Sequence, residues 1–479
     1  MNSKKIVPGF IWRYAEKSLI QLIDLGVNII LARQLAPEVF GTVALVNIFN
    51  SILSVFVTSG LGSALVQKKD ADDLDFSSVF YFNIGASLLL YALMFFSAPA
   101  IAVFYNQPDL TALIRVLNLT LIISGIKNVQ NAYVSRNMLF KRFFFASLSG
   151  TIIAAVASVV LAYRGAGAWA LVALQVLDTL VDTIVLWMTV KWRPKRLFSK
   201  ERLKGLLTFG SQLLANNIID KIYQNLRSLI IGKMYSPSDL AFYDKGRKYP
   251  TTIYSNLTTT MNSVLFPALS QVQDNRAKMA ENVRKMIQTI TYLTAPFLFG
   301  LAACSDSVVK LLLTEKWMPC VPYMRIFAIT YFLESVNSVC NITIKSLGLG
   351  KDLLKTDLVK KAFSLTLILI TMRINVLAIA LSMIVAAVFN LTITNIPVRK
   401  RLDYGYDKLF EDMLPPALLA AFMAGCVYCI EFIGLKTWQT LALQIITGAI
   451  IYVGGSFLLH LDTPRFLIKT VKELLPARK

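Results

Sequence analysis

The sequence predicts an all-α polytopic membrane protein of about fourteen transmembrane helices, arranged as two pseudo-symmetric six-helix bundles followed by two C-terminal helices. Three observations predict it: long apolar runs, basic residues biased to alternate loops, and a self-similarity displaced by about 200 residues. Of 479 residues, 56% are hydrophobic and 16% charged, whereas an average soluble chain carries about 25% charged residues. Lys and Arg number 49 against 28 Asp and Glu, which leaves +21. In a soluble protein that excess would suggest nucleic acid. Set among apolar runs it marks orientation instead, and nucleic acid is not an expected partner. The single histidine, His460, and five unclustered cysteines exclude a His-based metal site and a disulfide scaffold. Most enzyme chemistry also loses its commonest general base. No catalytic residue, metal or cofactor is expected.

Apolar stretches long enough to span lie at 9–33, 41–66, 77–104, 110–134, 143–163, 167–190, 206–232, 246–268, 284–304, 321–347, 356–373, 375–396, 411–433 and 437–460. The seventh is the most polar, and only the turn Met372-Arg373-Ile374-Asn375 separates the eleventh from the twelfth. Lys4 and Lys5 precede a first stretch that is itself polar and lacks a small-residue cleavage site, so no cleaved signal peptide is expected. With charges in the end turns counted in the adjoining loops, one set of loops and both termini hold 32 basic residues, the other set 10 and the spans 7. The positive-inside rule puts the first set, and both termini, in the cytoplasm. The densest cluster runs from Lys191 to Lys204.

The stretch Leu31-Ala32-Arg33-Gln34-Leu35-Ala36-Pro37-Glu38-Val39-Phe40 lies 200 residues before Ile231-Gly232-Lys233-Met234-Tyr235-Ser236-Pro237-Ser238-Asp239-Leu240, each reading apolar, small and basic, then a small residue and Pro, with an acid nearby and an apolar close. Arg115 pairs with Arg325, and Asn131 with Asn341, at an offset of 210. The near-constant offset points to a duplicated six-span unit: an N-lobe over 1–195, a C-lobe over 196–400, and residues 401–479 holding the last two spans and a cytoplasmic tail. Six spans return the chain to the same face, so the copies are parallel repeats about an axis along the membrane normal, with a cleft between them. The basic loop 191–204 is then either the hinge between lobes or an orientation signal alone.

Charged side chains inside spans are costly and face a cavity or a partner. Span one carries Arg13, Lys17, Gln21, Asp24 and Asn28 at helical spacing, which keeps them on one face. Span seven repeats the pattern with Asn217, Asp220, Lys221, Gln224, Asn225 and Arg227. These are the first helices of the two repeats, so paired stripes suit a shared wet cleft; helix-to-helix hydrogen bonding is the alternative use. Lys245, Arg247 and Lys248 form a cationic rim at the mouth of span eight, or anchor that helix at the interface. Arg115 and Arg325 complete the candidate cations. Asp178 and Asp182, spaced i+4 in span six, either pair with bases across the lobe or carry a coupling cation or proton, as do Asp24, Asp220 and Glu334. Cys426-x-x-Cys429 reads as two packed cysteines, and the acidic run Asp70–Asp75 as a solvated loop without the glycine and closing glutamate of an EF-hand. No phosphate-loop lysine motif occurs, so the chain hydrolyses no ATP by that route.

Several motifs resemble a known family. Ala32-Arg33-Gln34-Leu35-Ala36-Pro37-Glu38-Val39-Phe40-Gly41 is similar to the end of its span one, Gly60-Leu61-Gly62-Ser63-Ala64-Leu65-Val66-Gln67-Lys68 to its span-two exit, and Gly167-Ala168-Trp169-Ala170-Leu171-Val172 to its span-six start. Ile230-Ile231-Gly232-Lys233, Tyr243-Asp244-Lys245 and Leu265-Phe266-Pro267-Ala268-Leu269-Ser270-Gln271-Val272-Gln273 resemble its second-lobe signatures. In order, they cover most of residues 30–275. The family is the Wzx-type polysaccharide transporters, in particular the colanic-acid and teichuronic-acid exporter branch of the multidrug/oligosaccharidyl-lipid/polysaccharide superfamily. The resemblance implies a flippase of the bacterial inner membrane that carries undecaprenyl-diphosphate-linked oligosaccharide repeat units to the periplasmic face. It implies membrane lipid, a polysaccharide polymerase and a chain-length regulator as partners, in exopolysaccharide, capsule or O-antigen synthesis. It also implies cavity cations on the diphosphate. Lys245 stands where many relatives have arginine, so a point charge replaces a bidentate contact.

A diphosphate-sugar head in hydrocarbon would cost far more than a single charge, itself about 2.5–3.5 kcal/mol on insertion scales. A wet cationic cleft removes most of that cost. Two other readings compete. A cation-coupled multidrug exporter on the same plan would favour acidic and aromatic cleft residues, whereas acids and bases within the spans nearly balance and the first-helix stripes lean basic; a membrane-embedded polymerase or ligase would show a large outer loop with catalytic groups, whereas the outer loops are short.

Overall fold

Every predicted span falls on one helix or two consecutive ones in the computed structural model of the chain, which describes residues 3–58, 60–273, 275–461 and 463–464. The predicted tail from 465 onward lies outside the described residues. In chain order the helices are α1 (Ser3–Gln34), α2 (Pro37–Thr58), α3 (Leu61–Gln67), α4 (Asp73–Tyr105), α5 (Leu110–Leu117), α6 (Leu119–Arg136), α7 (Phe140–Tyr163), α8 (Ala168–Thr189) and α9 (Lys200–Met234). They continue with α10 (Pro237–Ser270), α11 (Arg276–Ala303), α12 (Ser305–Leu312), α13 (Val321–Ser346), α14 (Gly350–Thr371), α15 (Val376–Leu402), α16 (Tyr406–Cys429) and α17 (Thr437–Leu458). No strand occurs among the described residues. An all-helical chain is the expected solution in hydrocarbon, where each backbone polar group needs an internal partner.

Local chemistry sets several boundaries. Asp72 caps α4 by accepting from the Asp75 amide (3.0 Å), and the Asp75 carboxylate accepts from the Asp72 amide (3.2 Å), a reciprocal capping box. Asn275 caps α11 and Asn375 caps α15, accepting from the amides of Lys278 (3.0 Å) and Ala378 (2.7 Å). The second cap closes the short link between the eleventh and twelfth predicted spans.

Among the described residues, nine helical segments are long and apolar enough to cross a membrane: 37–67, 73–105, 110–136, 140–163, 168–189, 276–303, 376–402, 406–433 and 437–458. Their outer faces carry bare apolar side chains such as Phe96 (78% exposed), Val103 (76%) and Leu458 (80%). Such faces are unstable in water and fit lipid. Helices α1, α9, α10, α13 and α14 fall outside that set. Charged residues, and in α10 and α13 mainly uncharged Thr, Ser and Asn, are the reason, and four of these five belong to the second predicted copy, so polar helices concentrate there.

The chain divides into two compact units, Met1–Ala241 and Phe242–Lys479. In the first, α1 packs on α7, α7 on α8 and α4 on α6, around cores that include Leu31, Val43 and Leu171 at one level and Phe76, Leu186 and Trp192 at another. In the second, α11 and α15 pack on α13, and α11 packs on α16, around Ile287, Leu298, Val336 and Met423. Within the first unit the two similar stretches meet. A Cβ on Gly41 would stand 1.8 Å from the Pro237 carbonyl oxygen, one on Gly232 would stand 2.3 Å from Leu45, and Ser238 bonds Glu38 at 2.9 Å. The small residue in each copy therefore permits close helix approach.

The acidic run is not the solvated loop expected from its composition. Asp75 is completely buried, held by Lys68 at 2.7 Å, while Lys195 pairs with Asp73 at 2.6 Å and Arg202 with Asp72 at 2.6 Å. The expectation failed because two of the three compensating cations, Lys195 and Arg202, come from distant sequence. The basic segment is clamped to the first unit by the same contacts, and by Ser77 and Ser78, which accept from the amides of Lys195 (3.0 Å) and Ser199 (2.9 Å). Nor are Cys426 and Cys429 both packed inside: Cys426 is half-buried and Cys429 exposed, each as a free thiol.

Candidate functional site

In the first unit the predicted stripe on α1 divides in two. Arg13 turns toward α7: its guanidinium bonds Glu16 at 2.8 Å and lies 4.8 Å from the Phe143 ring, and buried Glu16 also accepts from Ser147 at 3.3 Å. One turn later, Lys17, Gln21 and Asp24 form an exposed polar ridge on a helix otherwise rich in Leu and Ile. Asn28 is half-buried and donates to the Asp24 carbonyl at 2.8 Å.

Further along the first unit stand the polar groups of α6, α7 and α8. Lys127 pairs with Asp182 at 2.9 Å, an ion pair between α6 and α8. Asp178 accepts from Thr151 at 2.9 Å. Gly150 permits this arrangement, since a Cβ there would come within 2.7 Å of the Asp178 carbonyl oxygen. Gly150→Ala is therefore expected to push α8 away from α7 and cost about 1–3 kcal/mol. A lowered melting temperature of the purified protein checks it.

Asp178 also lines a cavity of about 280 Å³ with Asn50, Ser54, Thr120, Ser124 and Gln175, where Thr120 donates to Asn50 at 3.2 Å. These groups form no charged stripe along any one helix, so the sequence does not mark them as a set. Their signal was present as polar residues within apolar spans two, four and six.

Along α9, Asn217, Asp220 and Gln224 are exposed, Lys221 and Asn225 half-buried, and Arg227 buried. Asn225 donates to the Lys221 carbonyl at 2.8 Å, an i−4 bond that satisfies its amide locally.

In the second unit, α10 places its cations differently from one another. Lys245 is buried, its ammonium 5.3 Å from the Trp317 ring. Arg247 pairs with Asp244 at 3.5 Å and lies 5.9 Å from the Tyr243 ring, while Lys248 is exposed. Gly246 makes this packing feasible, for a Cβ there would be 2.8 Å from the Cys320 carbonyl oxygen. Deeper in the unit, Glu334 of α13 accepts from Asn337 and from Asn390 of α15, both at 2.9 Å. On α14, buried Lys360 reaches Asp357 (2.7 Å), Thr394 (3.2 Å) and Asn341 (3.4 Å).

Arg115 and Arg325 are not gathered with these groups. Arg115 donates to the Phe95 carbonyl at 3.2 Å and lies 4.1 Å from that ring. Arg325 bonds Ser305 at 3.2 Å, pairs with Asp306, and lies 5.3 Å from the Tyr428 ring. The two arginines, 210 residues apart, each brace a preceding helix in their own unit: Arg115 the body of α4, and Arg325 the junction of α11 and α12.

Each unit also holds a carboxylate knot, of which the sequence marked only the acidic run containing Asp75. Asp412 (3% exposed) accepts from Arg284 (2.8 Å), Gln288 (2.7 Å) and Tyr404 (2.7 Å). Burial, reinforced by the bond to Asp412, pushes the Tyr404 phenol well above its usual range. The counterpart is Asp75, beside which the Asp72 carboxyl is held below its usual range, first by the Asp75 amide and then by Arg202. Among the described residues no cluster of His, Cys, Asp and Glu could hold a metal.

Residues 30–322 match the family described as polysaccharide biosynthesis protein. Among known proteins, the chain is 22% identical to the teichuronic acid biosynthesis protein TuaB of Bacillus subtilis, over 94% of this chain and 95% of that protein. It is 25% identical to the succinoglycan biosynthesis transport protein ExoT of Rhizobium meliloti (73% and 71%) and 23% identical to the lipopolysaccharide biosynthesis protein WzxC of Escherichia coli (70% and 68%). Among solved structures it shares the fold of the lipid II flippase MurJ in an inward closed conformation, with a TM-score of 0.76 at 12% identity over 95% of this chain and 99% of that one. It also shares the fold of an inward-facing multidrug resistance transporter of the MATE family (TM-score 0.62, 15% identity, 80% and 96%).

Proposed function

We propose that this chain, which belongs to the polysaccharide biosynthesis protein family, is a flippase that turns an undecaprenyl-diphosphate-linked oligosaccharide from the cytoplasmic to the periplasmic face of a bacterial inner membrane. The observation that carries this reading is the exposed ridge Lys17, Gln21 and Asp24 on a helix that must sit among membrane spans. A polar ridge has no stable place against lipid. It suits a water-filled passage for a polar, anionic headgroup whose prenyl tail stays in hydrocarbon. The relatives named for teichuronic acid, succinoglycan and lipopolysaccharide supply the substrate class.

In this reading fourteen spans divide into lobes at 1–195 and 196–400 plus 401–479, and the lobes rock to open the passage alternately to each side. Lys17 and Lys221, from the first helices of the two lobes, hold the diphosphate, with Arg227, Lys245, Arg247 and Lys248 lending positive potential. Arg13, Arg115 and Arg325 serve packing. Asp24, Asp178, Asp182, Asp220 and Glu334 are the candidates for a coupling cation or proton. The chain transports and performs no bond chemistry, and a polymerase with a chain-length regulator takes its product.

Deleting the gene is expected to remove the surface polysaccharide and to accumulate the lipid-linked repeat unit, measured by mass spectrometry of extracted lipid. Normal polysaccharide with no accumulation would contradict the reading. A reporter fused after Lys479 is expected to read cytoplasmic, and periplasmic activity would overturn the orientation.

A further inference from the structure

The second unit has a basic cavity of about 370 Å³ between the ends of α14 and α15, far in sequence from both polar stripes. Its mouth carries Lys355 of α14 with Lys400 and Arg401 of the last turn of α15, against one carboxylate, Asp352. All three cations are exposed. Below them the wall becomes apolar, with Val359, Ile396 and Pro397. That wall runs on into bare apolar surface, where Leu354 is 63% and Leu358 61% exposed. The positive-inside rule puts this end of both helices at the cytoplasmic leaflet.

We propose that this cavity binds an anionic glycerophospholipid of the cytoplasmic leaflet, its phosphodiester held by Lys355, Lys400 and Arg401 and an acyl chain lying against Val359 and Ile396. Three cations against one carboxylate leave a local excess of two positive charges. A phosphodiester brings a compact negative charge that lysine and arginine bind directly, and basic pockets between spans at this level take acidic headgroups. A zwitterionic lipid would add an ammonium to a site already positive. Pro397 has no amide to offer the Ile393 carbonyl, another lining group, so the wall also presents an acceptor for a headgroup hydroxyl. A soluble phosphate would use the mouth and leave the apolar wall wet, which is why the lipid is the better occupant. This site is separate from the proposed cargo passage and does not depend on what the cargo is.

The test uses the purified full chain titrated with dioleoyl phosphatidylglycerol, dioleoyl phosphatidylcholine or glycerol 1-phosphate, with binding followed by native mass spectrometry and by melting temperature. Phosphatidylglycerol is expected to bind at least about tenfold more tightly than phosphatidylcholine, and glycerol 1-phosphate not to compete. Lys400→Gln with Arg401→Gln is expected to weaken phosphatidylglycerol by about tenfold, whereas Lys278→Gln, a basic residue outside the cavity, leaves it unchanged. Should the double variant fail to fold, Ile396→Trp, which fills the apolar wall, is expected to reduce retention of the same lipid. Equal binding of the two lipids, equal loss in Lys278→Gln, or competition by glycerol 1-phosphate at equal affinity would each overturn the assignment.

Discussion

Lys17→Ala and Lys221→Ala are each expected to reduce export of the lipid-linked oligosaccharide by about 10- to 100-fold while leaving the protein folded in the membrane. The magnitude follows from the about 1.5–3 kcal/mol of a hydrogen bond to a charged group, with 1.4 kcal/mol for each tenfold. Lys17 is exposed and Lys221 half-buried, so neither truncation opens a cavity in a packed core. Arginine at either position should restore more export than glutamine, because charge rather than shape is required. Surface polysaccharide measured in a deletion strain carrying each variant, with membrane abundance measured in parallel, decides the matter. Arg115→Ala and Arg325→Ala should behave differently. These arginines brace preceding helices, so their loss should lower melting temperature and abundance together with export.

The second large effect is on stability. Asp412→Ala is expected to cost about 2–4 kcal/mol. The carboxylate is the acceptor for Arg284, Gln288 and Tyr404, and its removal leaves the buried Tyr404 hydroxyl without that acceptor. Arg284 is half exposed and can turn to water, which keeps the cost below that of stranding a fully buried charge. Asp412→Asn retains one acceptor oxygen and should lose less. Melting temperature of the purified variants measures both, and an Asp412→Ala protein as stable as the parent would show that the knot contributes nothing.

Much of the fold was legible because membrane physics writes long signals. A span needs many apolar residues, and orientation is written in the charges between spans, so α2, α4 and α7 could be placed from composition alone. The polar stripes on α1 and α9 were legible for the complementary reason: Lys17 and Lys221 are conspicuous where charge is expensive. The partner of each charge was not legible. Arg13 and Lys17 look alike in sequence, four residues apart, yet one is stapled to Glu16 and Phe143 and the other is exposed. Asp75 could not be told from its acidic neighbours, because Lys68 and Arg202 approach it from other segments. The cavity that Asn50 and Gln175 line with Asp178 was not legible, since each neutral group is unremarkable alone and only packing gathers them.

The central claim, that the chain itself moves a lipid-linked oligosaccharide across a bilayer, is tested most directly by reconstitution. The lipid-linked repeat unit extracted from a deletion strain is placed in proteoliposomes, and the fraction open to an added glycosidase is followed over time. The account predicts that the purified protein exposes the inner-leaflet pool and that Lys17→Ala largely abolishes the effect. An inner-leaflet pool that stays protected in the presence of the intact protein, as in protein-free liposomes under the same ion gradients, would contradict it.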